Sequence, residues 1–228
     1  MSMKKVIETA RGELGVTEDP PGSNRVKYWD SYDKSGQGQP WCVAFLWWCF
    51  EQAGERMAFF GGGKTASCGM LLRWYREQGL TVPVSEVQAG DIVILNFHGT
   101  KDTEHCGLVT GVTNSVIFAN HRVMERTIYS VGTIEGNTSP SDGSQSNGGM
   151  VCEKTRYTPQ IVAVCRPQYK LEQEIVDDVT GHWAESAIRR VCKRGLMVGY
   201  TDGSFQPDKP VTRAELAVIL DRMEDDMK

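Results

Sequence analysis

The sequence predicts an α+β fold in two domains, and three observations carry that reading. Residues 42–53 (Cys-Val-Ala-Phe-Leu-Trp-Trp-Cys-Phe-Glu-Gln-Ala) are apolar almost all round and stop at Gly54, so they form a buried central helix. From residue 91 onward the helical spacing gives way to short apolar runs that read as strands. Helices first and strands afterwards imply an N-terminal helical group on an antiparallel sheet. The third observation is a change of texture near residue 169. Residues 1–169 hold 16 positive and 17 negative side chains and are rich in Gly and aromatic residues, whereas 170–228 hold 9 and 12 around two short helices. The polar stretch 166–174 reads as the linker, which gives domains at 1–169 and 170–228.

Composition removes several functions. With 40% apolar and 24% charged residues the chain is globular rather than disordered. A net charge of −4 leaves no basic excess for a phosphate-binding face, which argues against nucleic acid. The longest nearly pure apolar run, residues 40–50, is shorter than the about 20 residues that span a bilayer, so no membrane role is expected. No apolar run follows Lys4 and Lys5, which predicts synthesis in the cytoplasm without a classical export signal. Seven cysteines, an odd number with no Cys-x-x-Cys pair, predict free thiols that are mostly small buried hydrophobes.

Along the chain, Val6, Ile7, Ala10 and Leu14 mark one face of a first helix ended by Gly15, and a loop through Pro20, Pro21 and Gly22 follows. The buried helix comes next, then one over 67–77 with Met70, Leu71, Trp74 and Tyr75 inward. Strands are predicted at 91–97, 105–112, 116–119, 128–136, 150–154 and 161–165. Residues 138–149, Ser-, Gly- and Asn-rich with little to anchor them, predict a mobile loop beside the cleft. In the last domain, Ala184, Ala187, Ile188, Val191 and Cys192 form one amphipathic face, and Leu216, Ile219, Leu220 and Met223 a second. Thr212 and Glu215 make a capping box.

Cys42 differs from the other cysteines by its place in the first turn of the buried helix. Unpaired N–H groups and the helix dipole there favour a thiolate and offer oxyanion donors. A thiolate nucleophile needs a base, and the histidines are 98, 105, 121 and 182. His105 opens a strand; if it faces the cleft, alternation sends Cys106 into the core. His98 and His121 sit among polar neighbours and read as surface residues. Glu135 and Asn137, two apart, share a face from which a carboxylate fixes the imidazole tautomer and an amide orients it. The same chain also offers His98, His105, Cys106 and His121 as a zinc set. No His-Glu-x-x-His or paired Cys-x-x-Cys spacing supports it, so neither a metal nor a cofactor is expected. Calcium near Asp30 and Asp33 is left open.

The ordered motifs PWCVAF at 40–45, EHCGLVTGV at 104–112 and TIEGNTS at 133–139, with Gly15-Val16-Thr17-Glu18 and Gly22-Ser23-Asn24 upstream, resemble the CHAP domain, a cysteine, histidine-dependent amidohydrolase/peptidase, over about residues 4–166. The resemblance implies a papain-like fold that cleaves amide bonds of bacterial peptidoglycan, as a muramoyl-alanine amidase or an endopeptidase. It gives Cys42 as nucleophile, His105 as base, Glu135 as orienting acid and Asn137 as fourth member. The stretch 114–132, with Ala119-Asn120-His121-Arg122, is longer than expected between the His and Glu strands.

Asp177-Asp178-Val179, His182-Trp183-Ala184, residues 195–200 and 202–208, and Val211-Thr212-Arg213-Ala214-Glu215 are similar to one S-layer homology (SLH) repeat over about 175–223. That likeness implies a small all-α domain that holds an anionic secondary cell-wall polymer. Arg213, a cation in a first helical turn where it opposes the dipole, inherits the anion contact unless a carboxylate elsewhere in the fold claims it. The family usually shows three tandem repeats around one core. A chain with one repeat predicts a homotrimer, against the alternative of a monomer whose repeat packs on its own catalytic domain. Together these features predict an endolysin-like peptidoglycan hydrolase that acts at the wall after release. The alternatives are a wall-binding or virion structural protein with a dead hydrolase fold, and a general Cys–His protease or transamidase.

Overall fold

The computed structural model describes residues 2–100, 102–119, 122–140, 143–169, 177–194, 196–200 and 204–226. The chain divides into two units, Ser2–Tyr169 and Lys170–Lys228. In the first, helices α1 (Ser2–Gly12), α2 (Lys27–Tyr32), α3 (Cys42–Ala53), α4 (Arg56–Phe60) and α5 (Cys68–Glu77) precede the sheet. Its strands are β1 (Thr81–Val82), β2 (Ile92–Leu95), β3 (His105–Ala119), β4 (Arg122–Thr138), β5 (Met150–Tyr157) and β6 (Ile161–Cys165). Their spatial order is β1-β6-β2-β3-β4-β5, with every neighbouring pair antiparallel. The α+β layout expected from the sequence is therefore present.

α3 is apolar almost all round because most of it is buried, with only Trp48, Glu51 and Gln52 reaching toward solvent. Val43, Ala44, Phe45, Leu46, Cys49 and Phe50 are fully buried. They share one core with Val6 and Ala10 of α1, Tyr28 of α2, and Ile92, Ile94, Cys106, Leu108 and Ile134 on the facing side of the sheet. Fully burying a side chain of this size stabilises by about 1.5–3 kcal/mol. The helix stops where Gly54 takes the left-handed conformation (φ 78°). Val93, Leu95, Val109, Val131, Ile161 and Val164 form a second cluster on the opposite sheet face. Burial on both faces explains why β2 reads as a continuous apolar run.

One sequence expectation needs correction. The separate strands at 105–112, 116–119 and 128–136 are parts of one long β3–β4 ribbon. Register shifts at Val109/Gly111, Thr113/Asn114 and Ile117/Phe118 absorb the additional residues. A bulge lets Asn114 and Ser115, which look like a strand break, stay paired. The described residues of the segment 138–149 make polar contacts, as its composition leads one to expect. Thr138 Oγ1 donates to the Gln145 carbonyl at 3.0 Å, and Lys154 Nζ donates to the Ser139 carbonyl at 2.7 Å. Asn120, His121, Gly195, most of 199–208's central turn (201–203) and linker residues 170–176 lie outside the described residues.

The second unit contains a 3-10 turn (Asp177–Val179) and helices α6 (Glu185–Lys193) and α7 (Arg213–Asp226). The Asp178 carboxylate accepts from the N–H groups of Phe205 and Gln206, which pins the turn before α7. The capping box forms as the spacing predicts: Glu215 N–H donates to Thr212 Oγ1 and Thr212 N–H donates to Glu215 Oε2. Leu216, Val218 and Leu220 of α7 are 46%, 49% and 53% exposed. No helix among the described residues is long and apolar enough to cross a membrane.

Gly136 brings β4 against the first turn of α3. A Cβ there would lie 2.6 Å from Phe45 Cβ and 2.7 Å from the Trp41 ring. Gly136→Ala is therefore expected to cost about 1–3 kcal/mol, read as a lower urea midpoint at unchanged slope. A wild-type midpoint would show that the strand and helix separate freely.

Candidate active site

Cys42 is the first residue of α3. The preceding Trp41 caps the helix without a side-chain bond, so no capping group claims the first N–H groups. Trp41 is instead fixed from below, its indole N–H donating to the buried Glu18 Oε1 at 2.8 Å. Cys42 is 6% exposed, while His105 and Glu135 are fully buried. Any substrate must therefore approach from the Cys42 side.

His105 begins β3 opposite Leu95. Its Nε2 lies 3.1 Å from Glu135 Oε2. Nδ1 has no hydrogen-bond partner, and the imidazole as a whole interacts with Cys42. Glu135 projects from β4 beneath the imidazole, over Gly107; a Cβ on Gly107 would come within 2.8 Å of Glu135 Cγ. Arg156 of β5 grips the carboxylate with two nitrogens, Nε at 2.8 Å from Oε1 and Nη2 on Oε2. Thr133 Oγ1 donates to Oε1 as well. The guanidinium stacks on the Phe97 ring, 4.7 Å from its centroid.

These contacts set the charges. Burial alone would push the Glu135 carboxyl up, but hydrogen bonds from Arg156 and His105 outweigh it and bring the pKa down to about 2. Burial alone would push the His105 imidazole down; contacts with Cys42 and Glu135 raise it to about 9. The Cys106 and Cys68 thiols donate to the Cys42 sulfur, and with His105 they hold its pKa well below the ordinary thiol value against burial. These contacts favour the thiolate form of Cys42 and the charged form of His105.

The structure brings Cys42, His105 and Glu135 together, and the Asn137 amide bonds to the segment that follows it. The β4–β5 register shifts between Glu135 and Thr138, and Asn137 takes a left-handed backbone (φ 59°), so the two-residue alternation fails. Its amide donates to Asn147 Oδ1 at 3.0 Å and accepts from Gly149 N–H at 3.3 Å, closing the 138–149 loop. Among the described residues it makes no hydrogen bond to His105. Arg156 is the member that sequence reading missed. Its signal was an Arg alternating with Lys154 and Cys152 on a strand, readable only with the β4–β5 register in hand. Cys106 does point into the core, but the core at that point is the start of α3. Cys42 and Cys68 sulfurs are 3.8 Å apart, and all three sulfurs lie within 4.8 Å of one another.

The zinc set drawn from the sequence does not assemble. His98 is exposed and bonded to Glu104, while His105 and Cys106 are buried; His121 is outside the described residues. Asp33 caps a 3-10 turn by accepting from Ser35 N–H at 2.9 Å, and Asp30 accepts from Gln37 at 3.3 Å. In the second unit, Arg213 opens α7 exposed and without a carboxylate partner among the described residues.

Against models of known families, residues 34–126 match the CHAP domain and residues 177–217 the S-layer homology domain. The chain carries a CHAP domain followed by an SLH domain. The CHAP match includes Cys42 and His105 and stops before Glu135, Asn137 and Arg156, so those three rest on geometry. Curated relatives include the outer membrane protein SlpA of Deinococcus radiodurans, 43% identical over 54 residues, 24% of this chain and 5% of that one. A cellulosome-anchoring protein of Acetivibrio thermocellus is 53% identical over 38 residues, 17% of this chain and 8% of its own length. An S-layer protein of Bacillus licheniformis is 30% identical over 69 residues, 30% and 8% of the two chains. The chain thus spans less than a tenth of each of these relatives. No solved structure matches it.

The shifted groups make stability depend on pH from both sides. The lowered Glu135 pKa stabilises the fold above its ordinary 4.5 and that contribution is lost as pH falls toward 2. The raised His105 pKa stabilises below its ordinary 6.5 and is lost as pH rises through 9. In Glu135→Gln, imidazole nitrogen shifts should show His105 titrating well below 9, because burial then faces only the Cys42 contact. An unchanged midpoint would remove Glu135 from the His105 pair.

Proposed function

We propose that the CHAP domain is a cysteine-dependent peptidoglycan hydrolase, an N-acetylmuramoyl-L-alanine amidase or an endopeptidase. The observation that carries this reading is the line of Cys42 at a helix N-terminus, His105 beside it and Glu135 behind the imidazole. The Cys42 thiolate attacks the amide carbonyl carbon, forming a C–S bond and an oxyanion that the first N–H groups of α3 receive. Collapse breaks the C–N bond as the His105 imidazolium gives its proton to the leaving amine. His105, now neutral, takes a proton from water; the resulting hydroxide attacks the thioester and the Cys42 thiolate leaves. Glu135, locked by Arg156, holds the imidazole in place and favours its charged form through both steps.

Mass spectrometry of digested peptidoglycan tests this directly. The wild-type chain should release fragments with a new amino end on alanine (amidase) or within the stem or cross-bridge (endopeptidase), and Cys42→Ala, folded by circular dichroism, should release none. Wild-type clearing by Cys42→Ala would sink the mechanism. A wild-type chain that yields no fragments would instead favour a wall-binding or virion structural protein, and cleavage of general proteins would favour a protease.

For the SLH domain we infer retention on the bacterial cell wall by an anionic secondary polymer, with Arg213 as the anion contact. Its exposed guanidinium at a helix start supports this, as do relatives named for S-layers and cellulosome anchoring. Such anchoring fits an endolysin-like lytic role at the wall. The exposed Leu216, Val218 and Leu220 further support a homotrimer in which three chains supply one repeat each. Light scattering on the full chain should give three times the monomer mass, and Leu220→Asp should give the monomer. A monomeric wild-type chain at micromolar concentration overturns the assembly.

A further inference from the structure

Sulfur is concentrated at the start of α3 beyond what a nucleophile requires. Cys42, Cys68 and Cys106 come from three elements, α3, α5 and β3, and their sulfurs lie within 4.8 Å of one another. Among the described residues this is the one group of three or more His, Cys, Asp or Glu donors close enough to share an ion. The Cys42–Cys68 separation of 3.8 Å is the sulfur–sulfur spacing that a tetrahedral ion with zinc–sulfur bonds of about 2.3 Å imposes. A second observation points the same way. His105 Nδ1 is buried without a hydrogen-bond partner while Nε2 lies 3.1 Å from Glu135 Oε2, and the imidazole interacts with Cys42. A carboxylate on one ring nitrogen, with the other nitrogen free to give up its proton and bind, is the arrangement that orients metal-binding histidines.

We propose that Cys42, Cys68 and Cys106 form a binding site for a thiophilic divalent cation of the zinc class, with the fourth position open to His105 Nδ1. The ion sits between the three sulfurs; Cys42 and Cys68, at 6% and 7% exposed, lie nearer the surface than the fully buried Cys106. Coordination displaces the thiol protons and ties up the lone pair that Cys42 would use in attack. Within the hydrolase reading the bound ion is therefore an inhibitor, and that consequence rests on that reading. The coordination does not, since it needs only the three sulfurs.

The test is cobalt titration of the full reduced chain, with cobalt(II) as a spectroscopic stand-in for zinc. One equivalent should produce a near-ultraviolet thiolate-to-metal charge-transfer band that an equivalent of zinc removes. Cys68→Ala should lose the band and bind zinc at least tenfold more weakly, whereas Cys192→Ser in the second unit should keep both. A folded wild-type chain with no band, or a band of equal strength in Cys68→Ala, overturns the site. If Cys68→Ala does not fold, X-ray absorption of the zinc-loaded wild type decides: three sulfur neighbours at about 2.3 Å support the site, and one or none overturns it. Wall clearing by the cation-free chain tests the hydrolase reading separately.

Discussion

The Glu135 carboxylate, ionised in the interior, is the constraint on which the rest of the site depends. Removing such a charge from water costs several kcal/mol, and the cost is recovered only when its lone pairs are filled with good geometry. Arg156 fills two, Thr133 one, and the remaining direction is left to His105. The pair cannot be half made, because removing one partner leaves an uncompensated buried charge. That requirement aligns β3, β4 and β5, since the His, Glu and Arg come from three neighbouring strands. A small fourth participant, Gly107, is what lets the carboxylate lie beneath the imidazole.

The helix side answers a different constraint, which is to bring a helix N-terminus with free N–H groups to the sheet. α3 achieves this by being apolar on all sides and by meeting β4 at Gly136, where backbone and ring are in contact. Trp41, tied to Glu18, fixes the direction in which the chain enters. Helix end and imidazole thus meet across two rigid elements, and the geometry needs no loop to close. The 138–149 segment borders this arrangement through Asn137, whose amide organises the loop rather than the base.

Much of this was legible in the sequence, for identifiable reasons. A helix without a polar face can only be central, so α3 and Cys42's place at its start followed from residues 42–53 alone. His105 and Glu135 were readable because each sits in a regular apolar strand. The Asn137 amide turns to the 138–149 segment because alternation holds only while the strand stays regular, and the bulge after Glu135 ends it. Arg156 was invisible because its partner is fixed by β4–β5 register across a loop with no pattern of its own. The β3–β4 ribbon was split on paper at Asn114 because bulges and turns use the same residue types. The meeting of Cys68 and Cys106 with Cys42 is a packing outcome, with no spacing signal to announce it.

The central claim is that Cys42 is a thiolate sustained by a charged His105 held between it and Glu135. The most direct measurement is the rate of Cys42 alkylation by iodoacetamide as a function of pH, read by peptide mass mapping on the native chain. The account predicts that Cys42 is the fastest-reacting of the seven cysteines at pH 6 and that its rate midpoint lies well below the about 8.5 of a free thiol. A midpoint at or above that value, with Cys42 reacting no faster than the other cysteines, would contradict it.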